Sequence, residues 1–422
     1  MTPPTPRTAP AAKSDYDAIV VGGGPAGSLT AYHLACAGLR VLVLEAKTFP
    51  RPKACGGGLQ ARVLAALPLD IGPVVRGRIS DVTLTFGLKG AHTRRSSEAI
   101  VYTVLRSEFD DHLLRCAQLA GAAVRERARV RSIVIADDGR VTVTTDEGSL
   151  TADCLVGADG ANSVVRKQLS ERESYFWQAA VYCEVPQELV APQVIEQQRM
   201  CLDWGTLPSG YAWAFPKEGF VNVGAGAPVE LARHLRDYAS AFVRSLRLLR
   251  SGAETKLTFT GHQLPTLTSR SRVANRSVIL VGDAAGLVEP FTGEGIFFAC
   301  QSAALAAKAI LRALSSGVRD LGSYSAELLP AVRQEMACSR TLLRFSTIFP
   351  RRVYQLFRNN DCAWRTLCRV LRGEGSFQEL AGEVLGPLRL ATRAVDAVAS
   401  VIEPMIMRSR MPAGQHLTSL VE

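Results

Sequence analysis

The sequence predicts an α/β fold with a second, antiparallel sheet and a helical C-terminal region. Three observations predict it. First, the apolar run Ala18-Ile19-Val20-Val21 enters the turn Gly22-Gly23-Gly24-Pro25-Ala26-Gly27, a helix-like segment follows from Ser28 to Gly38, and a second apolar run, Val41 to Leu44, ends on Glu45. Second, two later apolar runs also end in Gly/Asp turns, at Asp159-Gly160 and at Gly282-Asp283. Third, strand-like patterning from Gln178 to Gly226 is followed, beyond residue 323, by mostly helical sequence. Buried-strand patterns that alternate with helices imply a parallel sheet, whereas period-two alternation implies a half-buried antiparallel one.

The first unit reads as strand, glycine turn, helix, strand, acid, the Rossmann-type pattern for a dinucleotide. Gly22 permits the tight turn, Gly24 lets the backbone approach a pyrophosphate, and Gly27 lets the helix pack close to the sheet. The helix that starts at Pro25-Ala26 presents free N–H groups and positive dipole charge to phosphates. Glu45 stands where a carboxylate accepts hydrogen bonds from a ribose hydroxyl pair.

Composition bounds the rest. With 422 residues, 47% hydrophobic and 21% charged, the chain is long enough for two domains with an ample core. A formal net charge of +10 suits an anionic partner, whether lipid, phosphorylated substrate or acidic protein. No nucleic-acid-binding signature accompanies it, so nucleic acid is not expected as a partner. The ten cysteines are scattered without a CxxC pair, so neither a metal site nor an iron–sulfur cluster is expected. Residues 1–14, rich in Pro, Thr and Ala without an apolar stretch, read as a disordered tail rather than a secretory signal. No unbroken apolar run of about 18 residues appears, so a spanning helix is not expected, and a reducing cytoplasm fits best.

Along the chain, Pro50-Arg51-Pro52-Lys53-Ala54-Cys55-Gly56-Gly57-Gly58 makes a loop whose backbone can pass against a flat ligand. Strands are expected around Ile79–Phe86 and Ala99–Val104. A helix follows from Leu105-Arg106 to Ala120, with Ser107 as candidate cap, and then a meander from Val124 to Thr145. In Tyr211-Ala212-Trp213-Ala214-Phe215-Pro216, period two puts the three aromatic residues on one face, with Phe220 to Gly226 as antiparallel partner. Pro290-Phe291-Thr292-Gly293-Glu294-Gly295-Ile296 precedes a long Ala-rich helix. Nine arginines between Arg333 and Arg372 face only Glu335 and Asp361, so that segment is basic.

The order of these motifs resembles the FAD-binding domain of the para-hydroxybenzoate hydroxylase-like flavoproteins. Two stretches resemble one branch, the geranylgeranyl reductase family: Pro52 to Gly58 resembles its PxxKxCGG-type loop, and Tyr211 to Pro216 with Gly224 and Gly226 its (Y/F)xWxFP…GxG motif. The resemblance covers roughly residues 15–315. It implies that Glu45 holds the adenosine ribose and Asp283 the ribityl or pyrophosphate region. Gly22, Gly24, Pro25, Ala26, Gly27, Ala46, Cys55, Gly56, Gly57, Arg106, Val130, Asp159, Gly293, Gly295 and Ile296 are the other implied FAD contacts. Backbone N–H groups of Gly293 to Ile296 would face the reduced ring, whatever Glu294 does. The implied reaction saturates a C=C bond of a polyprenyl chain by hydride transfer from reduced flavin N5. Tyr211, Trp213, Phe215, Pro290 and Phe291 would line an apolar channel, and Cys55, Tyr211 and Trp213 are the candidate catalytic residues. Ordinary core packing would also explain the aromatic stripe, a small loop residue Cys55, and a solvated charge Lys53.

The implied domains are residues 15–78, 100–175 and 265–322 for FAD, 79–99 and 176–264 for the substrate sheet, and 323–422 for the helical region. The fold also serves FAD-dependent monooxygenases and halogenases; the WxWxIP motif typical of the latter is replaced here by Tyr211-Ala-Trp213-Ala-Phe215-Pro216. A non-enzymatic FAD-bearing assembly factor is a third reading. The electron donor is NADPH or reduced ferredoxin. The basic segment Arg333–Arg372 suits an acidic donor protein or peripheral contact with a membrane surface, and equally a set of solvated helix faces.

Overall fold

The computed structural model describes residues 13–169 and 175–386. Residues 1–12 of the expected tail and 387–422 of the expected helical region lie outside the described residues. Ser14, placed by the sequence in the tail, is buried and donates from Oγ to Asp153 Oδ1 at 2.9 Å.

Five strands form a parallel core in the order Val278–Leu280, Gly148–Gly157, Tyr16–Val21, Val41–Leu44 and Ala123–Arg125. Ile19, Val20, Leu42, Val43, Leu155 and Val156 are fully buried, which explains their unbroken apolar runs. Register sets the site: Val21 pairs with Leu44 and Gly157, and Gly157 pairs with Leu280. The turns at Gly22, Asp159 and Gly282 therefore leave adjacent parallel strands at one carboxyl edge, where ligands of open α/β sheets bind. The meander Val130–Ile135, Val141–Thr145, Gly148–Gly157 extends this sheet antiparallel.

The helix Ile296–Ser316 is long and apolar enough by composition to cross a membrane, but 56% of its apolar window is buried inside the protein. Its Ala-rich face, Ala299, Ala303, Ala306 and Ala307, packs in the core of the parallel domain. The helix Arg106–Leu119 starts one residue before Ser107, and Leu105 occupies the cap without a side-chain bond. The cap expected at Ser107 is thus not formed.

The second sheet has seven strands in the order Thr260–Leu267, Tyr175–Pro186, Phe220–Pro228, Tyr211–Lys217, Met200–Trp204, Asp81–Phe86 and Lys89–Arg95. It is not wholly antiparallel, since Met200–Trp204 runs parallel to Asp81–Phe86. Those strands come from distant parts of the chain, so no hairpin forces them antiparallel. One face packs against the helix Leu235–Ser245; at the far end Val82, Leu84 and Met200 pack against the C-terminal helices through Leu342, Phe357 and Trp364. A three-stranded sheet of Gly58–Gln60, Val101–Val104 and Val75–Ile79 bridges toward the first domain.

Asp203 anchors the second sheet. Fully buried, its carboxylate accepts from Thr85 Oγ1 at 2.7 Å, Leu88 N at 2.8 Å, Thr206 Oγ1 at 2.7 Å and Tyr238 Oη at 2.7 Å. Burial pushes its carboxyl above the ordinary range, while these donors hold it down. Asp203→Ala orphans several buried donors at once and is expected to cost about 3 kcal/mol or more. A lower urea midpoint checks this, and an unchanged midpoint contradicts it.

Candidate active site

A cavity of about 630 Å³ runs along the carboxyl edge of the parallel sheet and on beneath the second sheet. At one end stand Glu45, Ala46, Arg129 and Val130. Gly22, Gly24, Pro25 and Ala26 come next, then Asp159, Asp283 and Arg106. Cys55, Gly56 and Gly57 face it further on, together with Gly293, Gly295, Ile296, Phe291 and the aromatic residues Tyr211, Trp213 and Phe215. Two sequence-derived site residues lie outside this lining. Gly27 is behind it, packed so tightly that a Cβ would stand 1.9 Å from the Gly22 carbonyl oxygen. Pro290 is buried, with its carbonyl accepting from Gln178 Nε2 at 3.2 Å, so of the two channel residues expected in this loop Phe291 lines the cavity and Pro290 does not.

The residues at the first end could hold an adenosine–pyrophosphate group. Glu45 is buried and held rigid, with Oε2 accepting from Gly23 N at 2.8 Å and Oε1 from Lys47 N at 2.9 Å. Gly22, at φ +104°, leaves no room for a Cβ, which would meet the Ala158 carbonyl oxygen at 2.4 Å. The helix Pro25–Cys36 has Gly24 at its cap and no side chain bonding its first N–H groups, which leaves them for an anion. Arg51, which the sequence did not single out, lies 3.8 Å from Glu45 Oε1 and 3.4 Å from Asp110 Oδ2. These features fit FAD, the dinucleotide that the glycine motifs imply.

In the middle of the cavity, the second and third glycine motifs are tied together by Arg166. Its guanidinium donates to the carbonyls of Asp283 at 3.3 Å and Ala284 at 3.1 Å, and to that of Ala161. The Asp159 carboxylate is turned to its own helix start, accepting from Ser163 Oγ at 2.5 Å and Val164 N at 2.6 Å. Asp159 therefore meets the cavity as the residue that shapes the turn. Asp283 lies 3.8 Å from His262 Nε2, whose other neighbour is Lys53 Nζ at 2.5 Å. Burial opposes ionisation of Asp283, but His262, Lys53 and Arg106 prevail and hold its carboxyl down to about 2. Burial also pushes the Lys53 ammonium below its ordinary range, against the pull of Asp283. Arg106 is bound twice to the fully buried Asp110, at 2.8 and 2.9 Å. His262 had no sequence signal, because only the fold brings its strand to this motif.

At the far end, one strand carries two loops. The cysteine loop lies on Trp213 and Phe215: a Cβ on Gly56 would stand 2.7 Å from Phe215 Cε2 and 3.1 Å from Trp213 Nε1. The Cys55 thiol, half-buried, accepts from Gly57 N at 3.3 Å. Tyr211 holds the other loop, donating from Oη to the Thr292 carbonyl at 2.7 Å. Burial pushes the Tyr211 hydroxyl well above its ordinary range. The polar atoms of Tyr211 and Trp213, proposed as catalytic from sequence, are thus engaged with backbone and with Asn222.

Two buried carboxylates shape the second loop. Glu289 accepts from Phe291 N at 2.6 Å, from Thr292 N at 2.9 Å and from Thr292 Oγ1. Glu294 accepts from Ile296 N at 2.6 Å and Phe297 N at 2.9 Å, capping the long helix, and lies 3.9 Å from Arg62. Arg62 stacks on Phe297 at 4.3 Å. Glu294 is therefore turned inward, not toward solvent.

Beyond the aromatic strand the lining is apolar: Val82, Leu84, Met200, Leu202, Trp204 and Phe291. The helix Asp361–Arg372 closes it with Trp364, Leu367 and Leu371. Their i, i+3, i+7 spacing was readable as an apolar helix face, but nothing local showed what that face covers.

The described arginines of the basic segment are divided in their roles. Arg340 donates to the Leu267 carbonyl, Arg369 pairs with Glu379 and Arg372 with Glu374, whereas Arg351, Arg352 and Arg365 are exposed.

The profile of the FAD-binding domain family matches residues 15–339. Menaquinone reductase of Mycolicibacterium smegmatis is 32% identical over 400 residues, covering 85% of this chain and 96% of that protein. Digeranylgeranylglycerophospholipid reductase 2 of Methanothermobacter thermautotrophicus is 29% identical over 314 residues, covering 72% of this chain and 79% of that protein. Among solved structures, a geranylgeranyl bacteriochlorophyll reductase-like protein of Thermoplasma acidophilum superposes with a TM-score of 0.69 at 21% identity, over 92% of this chain and 98% of that one. At that identity the likeness speaks for the fold.

Gly27→Val places methyl groups into the Gly22 carbonyl and is expected to abolish FAD retention, read as loss of flavin absorbance in purified protein. Full flavin content in that variant contradicts the cradle. Glu289 gives a pH signature. Burial pushes its carboxyl up to about 7, so the folded chain holds its proton where the unfolded chain has lost it. Its contribution to stability is full below the ordinary carboxylate range and is lost as pH rises through about 7. Urea midpoints of the protein and of Glu289→Gln, taken from about pH 5 to about pH 8, should diverge, with the unsubstituted protein falling faster. Parallel curves contradict this.

Proposed function

The chain belongs to the FAD-binding domain family, among its geranylgeranyl reductase-like members, and from that membership we propose that it saturates C=C bonds in the polyprenyl chain of a lipid. The observation that carries this reading is the apolar channel between the cysteine loop and Trp364, Leu367 and Leu371. A polyprenyl chain has no polar atoms to recognise, so a long dry channel is the form its binding site takes.

Glu45, the Gly22–Gly24 turn and the start of the helix Pro25–Cys36 would hold FAD, which would supply the hydride. The protein's own groups do the rest. Phe215, Phe291 and Trp204 exclude water and align the chain. Of the N–H groups from Gly293 to Ile296 expected at the ring, that of Gly293 donates to the Glu289 carbonyl at 2.9 Å and that of Ile296 to the Glu294 carboxylate that caps the long helix, so those of Glu294 and Gly295 are the ones left to stabilise charge there. Cys55, the one thiol among the lining residues, would deliver the proton at the reacting end of the channel.

The matched length of the menaquinone reductase supports a prenyl quinone as first substrate to try, and the archaeal relative supports a prenyl glycerophospholipid. Electrons enter from NADPH or a reduced ferredoxin, and the exposed Arg351, Arg352 and Arg365 suit the acidic surface of the latter. Phe349, 38% exposed beside Arg351 and Arg352, suits peripheral contact with an anionic membrane. All ten cysteines are free, in keeping with a cytoplasmic setting.

The test is anaerobic incubation of the photoreduced holoprotein with menaquinone, geranylgeranyl glycerophospholipid and geranylgeranyl diphosphate. A mass gain of about 2 Da per bond that survives exposure to air is expected, because a saturated bond does not reoxidise whereas a quinol does. A gain that air reverses places the reduction on the quinone head instead, and no flavin reoxidation by any lipid overturns the reading. Cys55→Ser is expected to keep FAD and to lower turnover by about tenfold or more. Unchanged rate and product pattern remove Cys55 from the mechanism.

A further inference from the structure

A buried polar chain lies behind the cysteine loop. The strands Tyr175–Pro186, Phe220–Pro228 and Tyr211–Lys217 are neighbours, and register sets Glu184 opposite Asn222 and Asn222 opposite Phe215. Lys217 Nζ donates to Glu184 Oε1 at 2.7 Å, and the Lys217 side chain is 0% exposed. Asn222, itself 0% exposed, donates from Nδ2 to the same oxygen at 2.9 Å and to the Cys55 carbonyl at 3.2 Å. Its Oδ1 accepts from Trp213 Nε1 at 2.7 Å. An indole N–H can only donate, so the orientation of this amide is fixed. Lys217 also closes on the loop from behind, since a Cβ on Gly57 would stand 2.7 Å from its Nζ.

Lys217, Glu184 and Asn222 are not among the residues that line the cavity. An apolar side chain would fill the place of Lys217 without the cost of desolvating an ammonium group. What the ion pair adds is direction: Glu184 pulls one Asn222 N–H, Trp213 fixes the amide oxygen, and the remaining N–H can point only at Cys55.

We propose that Lys217, Glu184 and Asn222 are positioning residues that lock the Cys55 loop onto Trp213 and so fix where the thiol stands in the cavity. The lock deepens the prenyl-reduction reading and rests on it only for the thiol's role in turnover. Its consequence for reactivity is independent of that chemistry. Without the lock, the loop opens locally and the half-buried thiol becomes accessible.

The experiment is alkylation of full-length holoprotein by iodoacetamide, with each cysteine followed by peptide mass spectrometry. The exposed Cys36 and Cys362 serve as internal references. Asn222→Ala removes both donations; Asn222→Leu removes them while filling the space, in case the smaller variant does not fold. Both are neutral, so neither changes the charge around the thiol. The charge-balanced pair Lys217→Met with Glu184→Gln tests the rest of the chain. Each is expected to raise the Cys55 rate, relative to Cys36, about threefold or more with FAD retained. A merely structural role lowers the urea midpoint and leaves that ratio unmoved, and an unmoved ratio in either set of variants overturns the proposal. If prenyl lipids are not reduced but the ratio rises, the lock stands without that chemistry. If lipids are reduced and the ratio is unmoved, the lock falls alone.

Discussion

Gly56 lies against the rings of Trp213 and Phe215, and Gly293 lies against the hydroxyl of Tyr211, each too close for a Cβ to fit. This contact of bare backbone with one aromatic strand is what the active site depends on. It brings a loop from the first domain and a loop from the third glycine motif to the same three side chains. Their separation is then set by a strand, whose spacing is rigid, rather than by the loops themselves. The same strand contributes Phe215 to the channel. One piece of regular structure thus fixes the spacing of the two loops and the entrance to the apolar space beyond.

Loops that approach a ligand by their backbone leave N–H groups without secondary-structure partners, and buried N–H groups must be satisfied. Here acidic side chains do this. Glu45 receives Gly23 and Lys47, Asp159 receives Val164, Glu289 receives Phe291 and Thr292, and Glu294 receives Ile296 and Phe297. The acids near the glycine motifs therefore act mainly as supports. Asp283 differs: half-buried, it faces His262 and Lys53, which with Arg106 hold its carboxyl below the ordinary range. Unlike theirs, its carboxylate receives no loop N–H group among the described residues, and it stands in the cavity lining.

The parallel core was legible because its signals are local. Apolar runs gave the strands, and the turns after Val21, Gly157 and Leu280 had only to be placed at one edge by register. The aromatic stripe was equally clear, since period two needs no tertiary context. Its role as a support for two loops was not, because the glycines it meets lie far away in sequence. Trp364, Leu367 and Leu371 read as an ordinary amphipathic face until the second sheet is seen opposite. His262 carries no motif, and Arg51 sits in a loop that drew attention to Lys53 and Cys55 instead. Pro290 and Ser107 show the limit of adjacency: Pro290 shares a motif with Phe291 but turns its carbonyl to Gln178, and Ser107 sits inside the helix it was expected to cap.

If one strand holds the flavin ring and opens onto an apolar channel that ends at the helix Asp361–Arg372, a crystal structure of the protein with FAD and a bound geranylgeranyl lipid will show it. The predicted result is ring density between the Cys55 and Gly293 loops, with prenyl density running past Phe215 toward Trp364 and Leu371. Ring density elsewhere, or a prenyl chain that leaves by another route, would contradict it.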